Sequence, residues 1–168
     1  MSYPAPRLSA ENRETEESIV ALGWKLVFDA GDPQHQAEFW AQALGYELED
    51  NSALVKQLLA AGAIDESQCV EFRDRLFFRD HAAARHPDDP VDEVSGTGLG
   101  RRLLFNRVPE PKTTKNRVHV DIHAGPGQRD ATVAALQERG AQVLRHVKEP
   151  AGEWTVLADP EGNEFCVA

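Results

Sequence analysis

Three polar side chains alternate with three aliphatic ones in Val118-His119-Val120-Asp121-Ile122-His123. In an extended strand, residues two apart share a face, so His119, Asp121 and His123 would stand together while the aliphatic set turns the other way. Residues i and i+2 on a strand can chelate one ion, and imidazole and carboxylate are ordinary ligands of divalent metals. The plainer alternative has His119 hydrogen-bonded within a partly polar cavity, with Asp121 and His123 near a wet strand end. Cys166 offers a soft ligand or a reactive thiol, against the buried, inert condition of most free cysteines. Lys25 lies in the apolar run WKLVFDA (24–30), which reads as a buried strand. Burying an ammonium is costly without a partner. Lys25 therefore either carries its amine outward along its stem or meets an anionic or carbonyl group in a cavity.

Between Arg101 and Arg117 six bases (Arg101, Arg102, Arg107, Lys112, Lys115 and Arg117) face the single acid Glu110, in a chain whose net charge is −10. This local inversion reads either as a solvated loop paired with the acidic stretch before it, or as an anion-attracting mouth to a cavity. GTGLG at 96–100 lacks the spacing of a dinucleotide loop and leads into a strand. HExxH, GxSxG and P-loop patterns are absent, so zinc-peptidase, serine-hydrolase and nucleotide-hydrolysis readings have no motif behind them.

The elements that must position these groups follow from periodicity and turn chemistry. After the strand at 24–30, Asp32-Pro33 supplies an N-cap with proline at the first helical position; Ala37, Trp40, Ala41 and Leu44 recur at helical spacing up to Gly45, and YELE (46–49) returns as a strand. The second half repeats the order: RVHVDIHA (117–124) as a strand, a helix capped by Asp130 and carrying Val133 and Leu136, Gly140 as its stop, then the strand AQVLRHV. Setting Ala30 against Ala124 brings Gly45 and Gly140 into register within one residue, a weak internal repeat. WTVLA, DPEGN and EFCVA form a closing hairpin in which glycine takes φ > 0. Residues 51–100 hold a helix near Leu54–Ala61, a strand RLFFRD and the loop HPDDPVDEVSGTGLG, a lid or flank on the first half. RRLLFNRVPEPK resumes as a strand ended by Pro109 and Pro111.

At 168 residues, with 41% hydrophobic and 27% charged residues, the chain suits one globular unit of the α+β class behind a polar tail or helix at 1–21. Its acidity opposes attraction to nucleic acid or to an anionic membrane surface. Two distant cysteines match no disulfide framework, and the N-terminus lacks the charged start and apolar run of a signal peptide, so a cytoplasmic location is expected.

The two β-α-β-β-β modules, the helices closing on LGY and RGA, the phrase KNRVHVDIHA and the closing DPEGNEFCV resemble the vicinal oxygen chelate superfamily, the glyoxalase, bleomycin-resistance and dioxygenase group. Within it the chain looks like the actinobacterial glyoxalase-like proteins. The resemblance covers residues 22–50 and 100–168. It implies curled mixed sheets around a shared cavity, module one over 22–111 with its insertion at 51–100, module two over 112–168, and often a homodimer. In metal-using members the first strand of each module supplies a histidine and the last strand a carboxylate. Here His119 keeps the histidine position, Lys25 stands opposite it in module one, Cys166 takes the carboxylate position with Glu164 two residues earlier, and the module-one counterpart falls near Asn106. With one position of four kept, the resemblance implies a small-molecule-binding protein without a cofactor. Lys25, Asn106, His119 and Cys166 would contact an anionic or carbonyl-bearing ligand, with Trp24 or Trp40 and Phe105 as aromatic walls. The alternative is a divalent-metal lyase or isomerase acting next to a carbonyl, in which an ion at His119 polarises the oxygen and an acid or base such as Glu164 moves the proton. A subunit interaction module with a vestigial cavity is a third reading.

Overall fold

Strand β1 (Leu26–Ala30) turns Leu26, Phe28 and Ala30 inward and leaves Val27 and Asp29 exposed, as its alternation requires. The chain then reaches Asp32, whose carboxylate accepts the His35 N–H at 3.2 Å, and Pro33 opens helix α1 (Pro33–Leu44). Gly45, at φ 66°, ends that helix in the left-handed conformation favoured by glycine. The structure, a computed structural model, describes residues 23–168, so the tail or helix expected at 1–21 lies outside it.

The remaining elements are β2 (Glu47–Leu48), α2 (Ser52–Ala60), β3 (Cys69–Phe72), β4 (Arg75–Phe78), β5 (His81–Arg85), β6 (Arg102–Arg107), β7 (Asp121–Ile122), α3 (Arg129–Glu138), β8 (Gln142–Glu149), β9 (Gly152–Ala158) and β10 (Glu164–Val167). They build two four-stranded mixed sheets, ordered β1-β6-β5-β2 and β7-β10-β9-β8, with β1 parallel to β6 and β7 parallel to β10. The identical order is the internal repeat expressed as topology. This is the α+β arrangement of paired βαβββ modules.

One core joins the halves. Phe105 stacks on Phe28 at 5.2 Å between centroids, Phe28 meets Trp40 at 5.3 Å, and Trp40 reaches Phe165 of the second sheet at 5.1 Å. Trp40 Nε1 donates to the buried Asp159 carboxylate at 3.0 Å, which satisfies both polar groups away from water.

Local differences from expectation have physical causes. The strand expected over 117–124 shortens to Asp121–Ile122, because upstream the Asn116 N–H donates to the Glu164 carboxylate at 2.9 Å and draws the chain off the sheet edge. Helix α3 begins at Arg129, placing Asp130 in its first turn instead of at the cap, where its charge still faces the positive end of the helix. The 51–100 segment contains two more strands than expected: β5, which joins the first sheet, and β3, paired with β4 through a turn at Arg73 and Asp74, both at positive φ. This hairpin lies against α1: Gln34 Nε2 donates to the Phe78 carbonyl at 2.8 Å and Arg73 pairs with Glu38 at 2.9 Å. The hairpin is thus a flank on the helix, whereas β5 of the same segment is an inner strand of the first sheet. Among the described residues, no helix is long and apolar enough to cross a membrane.

Candidate functional site

The concave face of the second sheet carries the densest chemistry. Strand β10 lies beside β7 with Cys166 opposite Asp121, and the Cys166 N–H donates to the Val120 carbonyl at 3.0 Å. Alternation turns Ile122, Phe165 and Val167 into the core, which leaves His119, Asp121, His123, Glu164 and Cys166 on the open side. They line a cavity of about 570 Å³ whose remaining wall includes Leu144, Arg145, Trp154, Val156 and Lys115. Leu144 comes from an irregularity in β8, where pairing with β9 shifts between Val143 and Arg145, and 52% of its surface is exposed. A second cavity of about 780 Å³ lies between β1 and the 108–120 linker; Lys115 and His119 border both.

His119 Nδ1 lies 3.0 Å from Asp121 Oδ1, and one donor atom from each of His119, Asp121 and Cys166 falls within 4.8 Å of the others. Burial, then the Asp121 carboxylate, pushes the Cys166 thiol above its ordinary range. Glu164 is differently placed. Partial burial pushes its carboxyl up, but the Asn116 N–H and the Lys112 ammonium at 3.0 Å outweigh that and hold it at about 2. A carboxylate held that low is a weak proton acceptor at neutral pH.

The other residues singled out in the sequence are distributed elsewhere. Lys25 is exposed, just before β1, and lines neither cavity. Trp24 is 86% exposed. Trp40 and Phe105 are wholly buried in the core and line neither cavity. Asn106 is half-buried on β6, opposite Asp29. The structural repeat moves the module-one counterpart of Cys166 from Asn106 to Leu104, since Val27 pairs with Leu104 as Asp121 pairs with Cys166. The counterpart of Glu164 is then Arg102, bound to the buried Glu49 carboxylate at 2.6 Å. Two of the six bases at 101–117 meet the acidic 51–100 segment, Arg101 with Asp89 and Arg107 with Asp80, and Arg102 meets Glu49 just before it. Asp121, Arg145 and Trp154 complete the second-sheet cavity. Asp121 was visible through its alternation with His119, but Arg145 and Trp154 carry no local signal of their orientation.

A family model of the glyoxalase-like domain matches residues 25–168, and the chain belongs to that family. No curated protein sequence matches it. Among solved structures it is similar to hypothetical protein SA1046 from S. aureus (13% identity, TM-score 0.54, covering 88% of this chain and 93% of that one). It is also similar to the fosfomycin resistance protein FosX from Mesorhizobium loti (8%, TM-score 0.54, 89% and 91%). A third is a mutant of FosX from Listeria monocytogenes, complexed with Mn(II) and dihydroxypropylphosphonic acid (6%, TM-score 0.53, 89% and 90%). These likenesses establish the fold.

A metal held across both modules, as the resemblance implies for metal-using members, does not fit this chain. Val27 and Leu104 stand where module one would mirror Asp121 and Cys166, Lys25 where it would mirror His119, and neither an aliphatic group nor an ammonium has a lone pair to offer.

Proposed function

We propose that this protein binds a small organic molecule over the concave face of its second sheet, one that combines an apolar or aromatic body with an anionic or carbonyl head. The observation that carries the reading is the division of the cavity wall. Leu144, Trp154 and Val156 offer apolar contact, while Lys115, Arg145, His119 and His123 place donors beside it. A mostly apolar hollow with a few convergent polar groups is the usual form of a small-molecule site. Arg145 presents a planar fork suited to a carboxylate, and Trp154 a flat face suited to a ring.

The reading is tested on chelator-treated protein with a panel of aromatic and aliphatic carboxylates, phosphonates and ketones, read by thermal shift and confirmed by calorimetry. Saturable binding is expected, weakened about tenfold by Trp154→Ala and by Arg145→Ala, since each removes roughly 1.4 kcal/mol or more of contact. Absence of binding across the panel, or binding that neither substitution changes, would overturn it.

A further inference from the structure

We propose that residues 109–119 form a hinged strap between the two cavities, latched shut by the single carboxylate of Glu164, and that its release admits a ligand to the second-sheet cavity. The role as an entrance rests on the organic-ligand reading. The strap and its latch do not.

Both ends of the strap are fixed to strands. At one end the Val108 N–H donates to the Ala30 carbonyl of β1 at 2.9 Å, and at the other the Cys166 N–H of β10 donates to the Val120 carbonyl at 3.0 Å. Between these anchors Pro109 and Pro111 bring no N–H, and no helix or strand forms. Among the described residues, the hydrogen bonds and ion pairs that tie 109–118 to the rest of the chain all end on Asn163 and Glu164. Lys112 Nζ lies 3.0 Å from Glu164 Oε2, the Asn116 N–H donates to the same oxygen at 2.9 Å, and Asn116 Nδ2 donates to Asn163 Oδ1 at 3.1 Å. One carboxylate thus carries the latch. Partial burial notwithstanding, the Asn116 N–H and the Lys112 ammonium hold Glu164 at about 2, so the latch stays charged through the neutral range.

Apolar burial adds little to it. Thr113, Thr114, Lys115 and Arg117 are exposed, and Val118 keeps 71% of its surface in solvent. A segment with few buried contacts, held by hydrogen bonds that water reaches from a cavity, opens locally at far less cost than the fold unfolds. Opening has a defined consequence here. Lys115 and His119 border both cavities, so the strap is the wall they share, and displacing it would join the hollow beside β1 to the hollow over β10. The approach to Cys166 would widen with it. Segments that move aside for a ligand and close behind it are drawn from such weakly held connections.

The test uses the full chain with no ligand present. On a Cys69→Ser background Cys166 is the one remaining thiol, and its modification by a small reagent, iodoacetamide, and a bulky one, pyrene maleimide, is followed by mass spectrometry. Both reagents draw on the same thiolate, so the ratio of their rates is blind to a change in thiol acidity. Lys112→Met, which leaves the Glu164 side chain in place, should raise the bulky-to-small ratio at least about threefold by weakening the latch. Glu161→Gln should leave the ratio unchanged, because that neighbouring carboxylate holds Gly31 and Asp32 instead of the strap. Should Lys112→Met fail to fold by circular dichroism, the native chain decides through hydrogen exchange of the Asn116 amide, read by NMR. That amide should exchange more slowly than those of Thr113 and Thr114 yet be insensitive to low urea, while the amides of β9 accelerate, since the strap opens without unfolding the core. A ratio that Lys112→Met leaves unchanged, a ratio that Glu161→Gln raises equally, or an Asn116 amide that follows β9 in urea would overturn the proposal. The organic-ligand reading stands or falls on its panel and this one on experiments without ligand, so the two failures are distinguishable.

Discussion

Cys166 and Asp121 face each other across the parallel pairing of β10 with β7, a thiol beside a carboxylate at the wet edge of a cavity. Burial first, and the carboxylate second, disfavour the thiolate. The folded state therefore holds the thiol proton more tightly than the unfolded chain does. That preference contributes stability below the ordinary thiol range and loses it as pH rises through the raised folded value. In the metal-free protein on a Cys69→Ser background, alkylation of Cys166 by iodoacetamide should be slow at pH 8 and still climbing at pH 9.5. Asp121→Asn should speed it at least about threefold at pH 8 by removing the neighbouring charge. An unchanged rate would show that Asp121 does not govern the thiol.

The Lys112–Glu164 pair predicts an acid-side transition. The Glu164 carboxyl sits at about 2 in the fold against an ordinary 4.5, so its contribution is complete above pH 4.5 and is lost as pH falls towards 2. Water reaches the pair from the cavity, which limits its worth to about 1 kcal/mol. Urea denaturation of Lys112→Met should show about that loss at pH 7 and a flatter dependence of stability on pH between 4.5 and 2. Parallel curves for the two proteins over that interval would refute the assignment.

Local chemistry made much of this architecture legible. Asp32-Pro33, Gly45 and DPEGN act through preset dihedral angles and short-range hydrogen bonds, and each marks its turn regardless of the surroundings. Alternation likewise put His119, Asp121 and His123 on one face, because the period of a strand is local too. It did not show which face an aromatic residue takes when both neighbouring layers are apolar. Trp40 and Phe105 read as cavity walls and pack instead where the helix meets the sheets. For Lys25 the repeat assigned an equivalent place, but β1 starts one residue later, at Leu26, and leaves the ammonium in solvent. Arg145 and Trp154 reach the cavity through the pairing of β8 with β9, a long-range register that no local pattern encodes.

The junction of the two halves depends on Asp159. Its buried carboxylate accepts from Trp40 Nε1 at 3.0 Å, from the Glu161 N–H at 3.0 Å and from the Asn163 N–H at 2.8 Å. Asp159→Ala would leave these three donors and the Asn163 Nδ2 short of a partner in a water-poor place, at a cost of about 3 kcal/mol, whereas Trp40→Phe removes one bond and should cost about 1–2 kcal/mol. Urea denaturation checks both. Equal costs would mean that packing of the indole, not the carboxylate network, dominates the junction.

The turn that follows Asp159 delivers two carboxylates to different tasks. Glu161 reaches back to module one, accepting the Gly31 N–H at 2.8 Å and the Asp32 N–H at 2.7 Å, while Glu164 begins β10 and turns to the cavity. Gly162 lies between them at φ 88°, with little but the Lys112 side chain near its open face. A β-branched residue there would meet backbone strain more than crowding, so Gly162→Val should destabilise by about 1–3 kcal/mol. Gly162→Asn, which tolerates positive φ better, should cost clearly less. Glu161→Gln tests the other arm: it keeps an acceptor for one N–H and removes the charge, so a loss of about 1 kcal/mol is expected. Thermal melts of the three variants separate the contributions. If Gly162→Val melts with the parent, the positive-φ turn is not a constraint on the fold; if Gly162→Asn is as damaging as Gly162→Val, the cause is side-chain bulk against Lys112 instead of the backbone angle.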